Sequence, residues 1–260
     1  VLVVFFSRNR FHYFVLGLKG EKTMDKFIGF MEKHFIPIAS KIGSQRHLVA
    51  IRDGFIVTMP LMILGSFGVL INNLPIPAYI DFMNGIFGEG TWQAFGNNLS
   101  AGTFSILGLL IAFTVAYNLA KSYNQDALGA GAISVASFFA LGAMATGPDG
   151  LLTAAGLGSQ GLFLALIVSI ISTEIFRRLA GNPRLVINMP DGVPPAVSRS
   201  FAALFPAMIT VSIFALFTAI FQAFGVTSIV LSFYELVQQP FMGLANSYPA
   251  ALLLGFISAF

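Results

Sequence analysis

A chain of 260 residues in which 56% are apolar and only 10% charged, with a mean hydropathy of +0.83, is not an ordinary soluble domain, which carries about 25% charged residues. The lack of Cys excludes disulfides, thiolate metal sites and a cysteine nucleophile. The net charge of +3 does not indicate nucleic acid, because the charges sort by side of a membrane, and no cofactor or metal is called for.

Residues 1–23 read as a leader outside the native unit. The run Val1–Leu18 is interrupted by Ser7, Arg8, Asn9 and Arg10, so neither half can span a bilayer. Lys19-Gly20-Glu21-Lys22-Thr23 can be encoded by a ribosome-binding sequence, which makes Met24 the expected start. From Met24 to Ile42 the apolar residues Phe27, Ile28, Met31, Phe35, Ile38 and Ile42 recur near helical spacing, with Lys26, Glu32, Lys33 and Lys41 elsewhere on the helix. That pattern predicts an amphipathic helix in the membrane interface, bent at Pro37, and residues 24–53 form the entry to the first span.

Six spans follow: 54–71, 101–120, 127–146, 156–176, 201–225 and 244–260, the last ending inside an apolar run. Each is hydrophobic all round and none alternates as a barrel strand would, so the predicted fold is an all-α polytopic membrane bundle. The connection 72–100 contains Asp81 and Glu89 and no basic residue. Its aromatics, including the single tryptophan Trp92, suit the membrane boundary, and interfacial anchoring is preferred over sugar stacking for Trp92. The third span, opening Ala127-Leu-Gly-Ala-Gly-Ala, is dominated by small side chains and predicts close helix packing.

Basic residues fix the topology, since cytoplasmic loops carry the Lys and Arg excess. With the N-terminus inside, all 14 Lys and Arg fall on the inner side. Arg46 and Arg52 precede the first span, Lys121 follows the second, and Arg177, Arg178, Arg184 and Arg199 crowd the connection after the fourth. Asp149 and Glu235 stand in the outer connections. An Arg46 or Arg52 pairing with Asp53 or Asp191 would brace the first helix against the Pro-rich loop; positive-inside anchoring accounts for the arginines as well. In that loop Pro190, Pro194 and Pro195 with Gly192 impose an extended turn, and Ser198 and Ser200 can cap the helix after it.

Two motifs carry a family resemblance. Pro190-Asp-Gly-Val-Pro-Pro-Ala-Val-Ser-Arg-Ser-Phe-Ala-Ala-Leu-Phe-Pro206 resembles the signature loop of the lactose/cellobiose/diacetylchitobiose-type IIC permeases of the bacterial phosphotransferase system. Gln45-Arg-His-Leu-Val-Ala-Ile-Arg-Asp-Gly-Phe-Ile-Val-Thr-Met-Pro-Leu-Met-Ile-Leu-Gly-Ser-Phe67 is similar to the entry into that family's first helix. The resemblance runs from Met24 to Phe260 and implies a multi-pass protein of the bacterial cytoplasmic membrane. Such a permease imports a β-linked disaccharide such as cellobiose, diacetylchitobiose or lactose while a phosphorylated IIB partner phosphorylates it. The added charge blocks return across hydrocarbon.

The resemblance also implies a homodimer, with residues 54–260 as its transmembrane scaffold. The family's acceptor-site histidine and glutamate belong to later helices: His12, His34 and His47 all precede the first span and map onto neither role. No catalytic residue is therefore assigned within this chain, and the sugar-binding residues are expected beyond Phe260. Partner-docking and structural candidates are Arg46, Arg52, Asp53, Asp191, Pro194, Pro195 and Arg199. An ion-coupled secondary transporter is the rival reading, but such carriers place ionisable groups at mid-membrane, and the middles of the five complete spans have none. A dimerisation scaffold alone is a further alternative.

Overall fold

The computed structural model describes residues 36–240, except 144, 147–151, 154, 188 and 191, together with residues 29 and 33. The expected leader 1–23, nearly all of 24–35, Asp191 and the sixth span 244–260 lie outside the described residues. The chain divides into two compact units, Val1–Leu48 and Val49–Phe260. In the first, α1 (Ile36–Gly43) carries Pro37 in its opening turn, where a missing N–H costs nothing.

The second unit holds most of α2 (Arg46–Asn72), then α3 (Pro77–Phe87) and α4 (Gln93–Ala101). After a 3-10 turn come α5 (Leu107–Ser122), α6 (Ala127–Ala140) and α7 (Leu162–Ala180). The last are α8 (Pro195–Ala202), α9 (Leu204–Ala223) and α10 (Ile229–Phe233), which runs on as a π-helical turn to Gln238. Four stretches among the described residues are long and apolar enough to cross a membrane: Arg46–Asn72, Gln93–Ser122, Ser159–Ala180 and Leu204–Ala223. They match the first, second, fourth and fifth expected spans.

The third expected span, 127–146, is shortened. Its helix stops at Ala140, and the chain leaves through Gly142 at φ 90°. Gly142 N–H donates to Phe139 O (2.9 Å) and Ala143 N–H to Phe138 O (3.3 Å), the paired bonds of a glycine-terminated helix. Ala145–Thr146 then pairs antiparallel with Leu152–Thr153, the one strand pairing among the described residues. Fourteen residues rise about 21 Å, short of a roughly 30 Å hydrocarbon core. A helix that short is accommodated because α6 packs between α5, α7 and α9.

Neighbour contacts give α2, α5, α6, α7 and α9 their directions. Gly54 of α2 faces Thr114 and Val115 of α5, while Gly65 faces Thr103 and Phe104, so α2 and α5 are antiparallel. Gly131 of α6 abuts Phe113 of α5, and the α5–α6 turn at Asn124 (φ 55°) makes that pair antiparallel too. Gly108 meets Leu157 and Gly158 at one end and Tyr123 meets Arg177 at the other, so α5 and α7 run parallel. Ala203, Ala207 and Val211 of α9 pack beside Ala130 and Ile133 of α6, and Thr218 reaches Ala140, so those two are parallel. Alternation is complete, and Arg52, Lys121, Arg177, Arg178 and Arg199 share one end, the inner side predicted from the charges.

Close approach is built from small residues and hydroxyls, since in lipid packing rather than water exclusion holds helices together. The buried positions of α2 are Ala50, Gly54, Thr58, Gly65 and Gly68, a stripe of small side chains turned to α4 and α5. A Cβ on Gly54 would stand 2.6 Å from a Val115 methyl, and one on Gly68 2.8 Å from Gly96 O. Among the described residues, hydroxyls donate across three helix pairs: Thr114 to Gly54 O (3.2 Å), Ser134 to Ala112 O (2.8 Å) and Thr218 to Ala140 O (2.8 Å). Helix α5 is the centre, with Ile111, Ala112, Val115, Ala116 and Leu119 fully buried.

The outer connection is a compact helical cap. Pro77 opens α3 at its first turn. Trp92 is 7% exposed, donates Nε1–H to Asn84 Oδ1 (2.8 Å) and meets the Tyr79 ring edge-on at 5.5 Å. The Asn72 amide donates to Gln93 O (3.0 Å) and Asn97 Oδ1 (2.9 Å), fastening α2 to α4. Trp92 is thus an internal pin between α3 and α4. Neither membrane anchoring nor sugar stacking describes it, because its ring and its N–H are both engaged by the protein.

Candidate partner-docking face at the inner end of the bundle

Helix ends that gather at one side bring their terminal charges together. Helix α2 rises about 40 Å over 27 residues, more than a hydrocarbon core requires. Its first turns carry Arg46, Arg52 and Asp53. Arg52 Nε donates to Asp53 Oδ1 at 2.9 Å, with Nη2 at 2.8 Å from the same oxygen. Arg52 is exposed, and a pair of this kind contributes under about 1 kcal/mol. The expected Arg52–Asp53 pairing is therefore present, but it is made within α2 and does not brace that helix against the Pro-rich loop. Arg46 is exposed at the start of α2, and Asp191 lies outside the described residues.

The Pro-rich loop is rearranged relative to expectation. Gly192 has φ 101°, so the extended turn is confined to the residues before Pro195. Pro194 is the N-cap of α8 at φ −54°, ψ 138°, and Pro195 is its first residue. Proline suits that place because its fixed φ fits a helix start and its missing N–H would have had no partner. Ser198 and Ser200 consequently fall inside α8, and α9 begins at an Ala203 N-cap with no side-chain cap bond. Arg199 is exposed and turns its Nε back to Pro195 O (3.2 Å).

A second cluster was not singled out from sequence. Arg177 Nη2 donates to Glu174 Oε2 at 2.8 Å, and Arg178 Nη2 lies 3.4 Å from that oxygen. The Arg177 guanidinium also sits 4.2 Å from the centroid of the Tyr123 ring. Glu174 is 14% exposed, so its charge is compensated where it is desolvated, and the cation over Tyr123 ties the inner end of α5 to that of α7. The Glu-x-x-Arg-Arg spacing is readable on a helix face, whereas Tyr123 is brought in by the α5–α7 crossing.

Chemically this face can attract an anion or an anionic protein surface. Among the described residues no group of three or more His, Asp or Glu is placed to hold a metal ion. His47, at the start of α2, lies 2.8 Å from Gln45 Nε2; His12 and His34 are outside the described residues.

The family model of the phosphotransferase system EIIC domain matches residues 52–260. The chain is 47% identical over 198 residues to the lichenan permease IIC component of Bacillus subtilis (strain 168), covering 70% of this chain and 42% of that protein. It is 46% identical over 198 residues to the cellobiose-specific EIIC component of Geobacillus stearothermophilus, covering 70% and 43%. The crystal structure of the transporter ChbC, the IIC component from the N,N'-diacetylchitobiose-specific phosphotransferase system, superposes with a TM-score of 0.77 at 40% identity, covering 86% of this chain and 54% of that one. The chain thus spans about half the length of the relatives it matches. On the match over 52–260, the chain is a multi-pass membrane protein that belongs to the EIIC family of the phosphotransferase system.

Proposed function

We propose that this chain forms the scaffold part of a IIC permease subunit that imports a β-linked disaccharide, such as cellobiose or diacetylchitobiose, with phosphorylation by a phosphorylated IIB partner. The observation that carries the reading is the family match across 52–260 together with relatives named for lichenan, cellobiose and N,N'-diacetylchitobiose. The charge distribution supports it: Arg52, Lys121, Arg177, Arg178 and Arg199 gather at the inner end, where an anionic phosphoryl donor would dock. The described spans carry no ionisable group at mid-membrane, as fits a carrier whose energy comes from phosphoryl transfer. The transfer itself depends on holding the acceptor hydroxyl in place, a task assigned here to other parts of the permease. In this reading Arg46, Arg52, Asp53, Asp191, Pro194, Pro195 and Arg199 shape the docking surface, and the subunit works as a homodimer.

The test is uptake of labelled cellobiose and diacetylchitobiose by a transport-deficient bacterium expressing the complete reading frame, with and without the donor chain. Donor-dependent accumulation of sugar phosphate is the expected result. Accumulation of unmodified sugar that collapses with the proton gradient would overturn it in favour of a secondary transporter.

A further inference from the structure

We propose that the outer side of the molecule is a hinged lid, in which α3, α4 and the outer part of α2 tilt as one body against the inner bundle about Pro60 and the segment Gly102–Ile106. The lid is fastened to itself. The Asn72 amide joins α2 to Gln93 and to Asn97 of α4, the Tyr79 hydroxyl of α3 donates to Ile71 O of α2 (3.2 Å), and Trp92 ties α4 to α3 through Asn84. Gly68 lies against Gly96, where a Cβ would stand 2.8 Å from Gly96 O. The main backbone contacts to the turns before α7 are made by Phe104–Ile106, inside the hinge, and not by α3 or α4.

Both chain connections from the lid to the bundle carry a break, and the two breaks lie at one depth. Pro60 stands inside α2 and has no N–H to give Ile56 O, so the helical ladder is interrupted there and the helix bends readily. The run Gln93–Ser122 is interrupted as well. Gly102, Thr103 (φ −128°, ψ −79°) and the 3-10 turn Phe104–Ile106 separate α4 from α5, and a 3-10 stretch within a helical run often marks a hinge. Gly54 meets Thr114 and Gly65 meets Thr103, eleven residues further along each segment, so the antiparallel register sets Pro60 opposite Gly108, within one turn of Ile106. Inward of the hinge, Gly54 stays seated on Val115 and accepts from the Thr114 hydroxyl (3.2 Å). The lid can therefore tilt without unpacking the inner bundle.

A change of about 20° in the bend at Pro60, the scale of a proline kink, acts over about 18 Å of helix to Asn72 and moves the lid by about 6 Å. The experiment is pulsed electron spin resonance on the full permease in nanodiscs, with spin labels at exposed Phe82 of α3 and exposed Leu216 of α9. A pair at exposed Leu128 of α6 and Leu216 is the reference within the inner bundle. The lid pair is expected to spread over about 6 Å more than the reference pair. Pro60→Ala restores the missing N–H, and Gly102→Ala stiffens the second break with a Cβ that would stand 3.5 Å from Asn98 O, an ordinary contact. Each should narrow the distribution, and the double variant should bring it to the reference width. A lid pair as narrow as the reference, or a spread that survives in the double variant, would overturn the proposal. Gly102→Ala alone decides where Pro60→Ala does not fold, because an unchanged spread in that single variant overturns it too. Sugar uptake is not read in this experiment, so its failure leaves the permease reading untouched.

Discussion

Helices α2 and α9 are at least as hydropathic as α5 and α7, yet they are buried to very different extents. Within their most apolar windows, 22% of the α2 run and 17% of the α9 run are buried, against 44% for each of the runs that contain α5 and α7. Large apolar side chains such as Val57, Ile63, Leu216 and Phe217 stand exposed on the two outer helices. In a membrane such residues are satisfied equally well by lipid, so hydropathy reports insertion and not position in the bundle. What separates centre from rim is the small residues and hydroxyls. Ala112, Ala116, Ala120, Ser134, Ser137 and Ser169 line the centre with no more than 1% exposure, and α2 joins it by a single glycine-rich face.

The contrast can be broken by design. The largest effect is expected for Gly65→Leu on the inward face of α2, where even a Cβ meets Thr103 and Phe104. Overpacking of this kind should cost about 3 kcal/mol or detach α2 from α5, read as loss of the folded fraction in a detergent-unfolding series. Ala116→Leu at the centre of α5 should cost about 2 kcal/mol, whereas Leu216→Ala on the exposed face of α9 should stay within about 0.5 kcal/mol. Equal effects of that pair on thermal unfolding would erase the distinction between centre and rim.

Smaller changes sharpen it. Tyr123→Leu removes the ring beneath Arg177 and should lower stability by about 1 kcal/mol, measurable as a lower unfolding midpoint with helix content retained. Thr114→Val and Thr218→Val each delete one hydroxyl bond between helices and should cost about 0.6 kcal/mol apiece. Those two sites join different helix pairs and share no partner, so a double variant should show additive losses. Asp53→Asn, which breaks only the exposed pair with Arg52, should move stability least, by under about 0.5 kcal/mol. A loss above 2 kcal/mol there would mean that the pair braces more than its own helix.

Much of this architecture was legible before any coordinates. Four of the six expected spans, and the direction of the helices, followed from apolar runs and from the position of Arg52, Lys121, Arg177 and Arg178, because both are set by the cost of burying charge and backbone in hydrocarbon. Helix ends were less legible. The fourth expected span is 156–176, while α7 runs from Leu162 to Ala180, because hydropathy stops counting at Arg177 although the helix continues past it into the interface. Ser198 and Ser200 read as caps, but Pro195 starts α8 first. Among the candidate residues, the Arg52–Asp53 pair was anticipated while its local character was not.

The sequence by itself determined that this is a membrane bundle, how the chain alternates across the bilayer, and to which family it belongs, since these depend on composition, run length and motif. Tertiary structure decided that α5 is the centre, that α6 ends after fourteen residues, that Trp92 is a buried pin, and that Arg177 rests on Tyr123. The physical reason is the solvent. Lipid and protein interior are alike to an apolar side chain, so the choice between them rests on which helices can approach closely, and close approach depends on pairs of surfaces that no single helix contains.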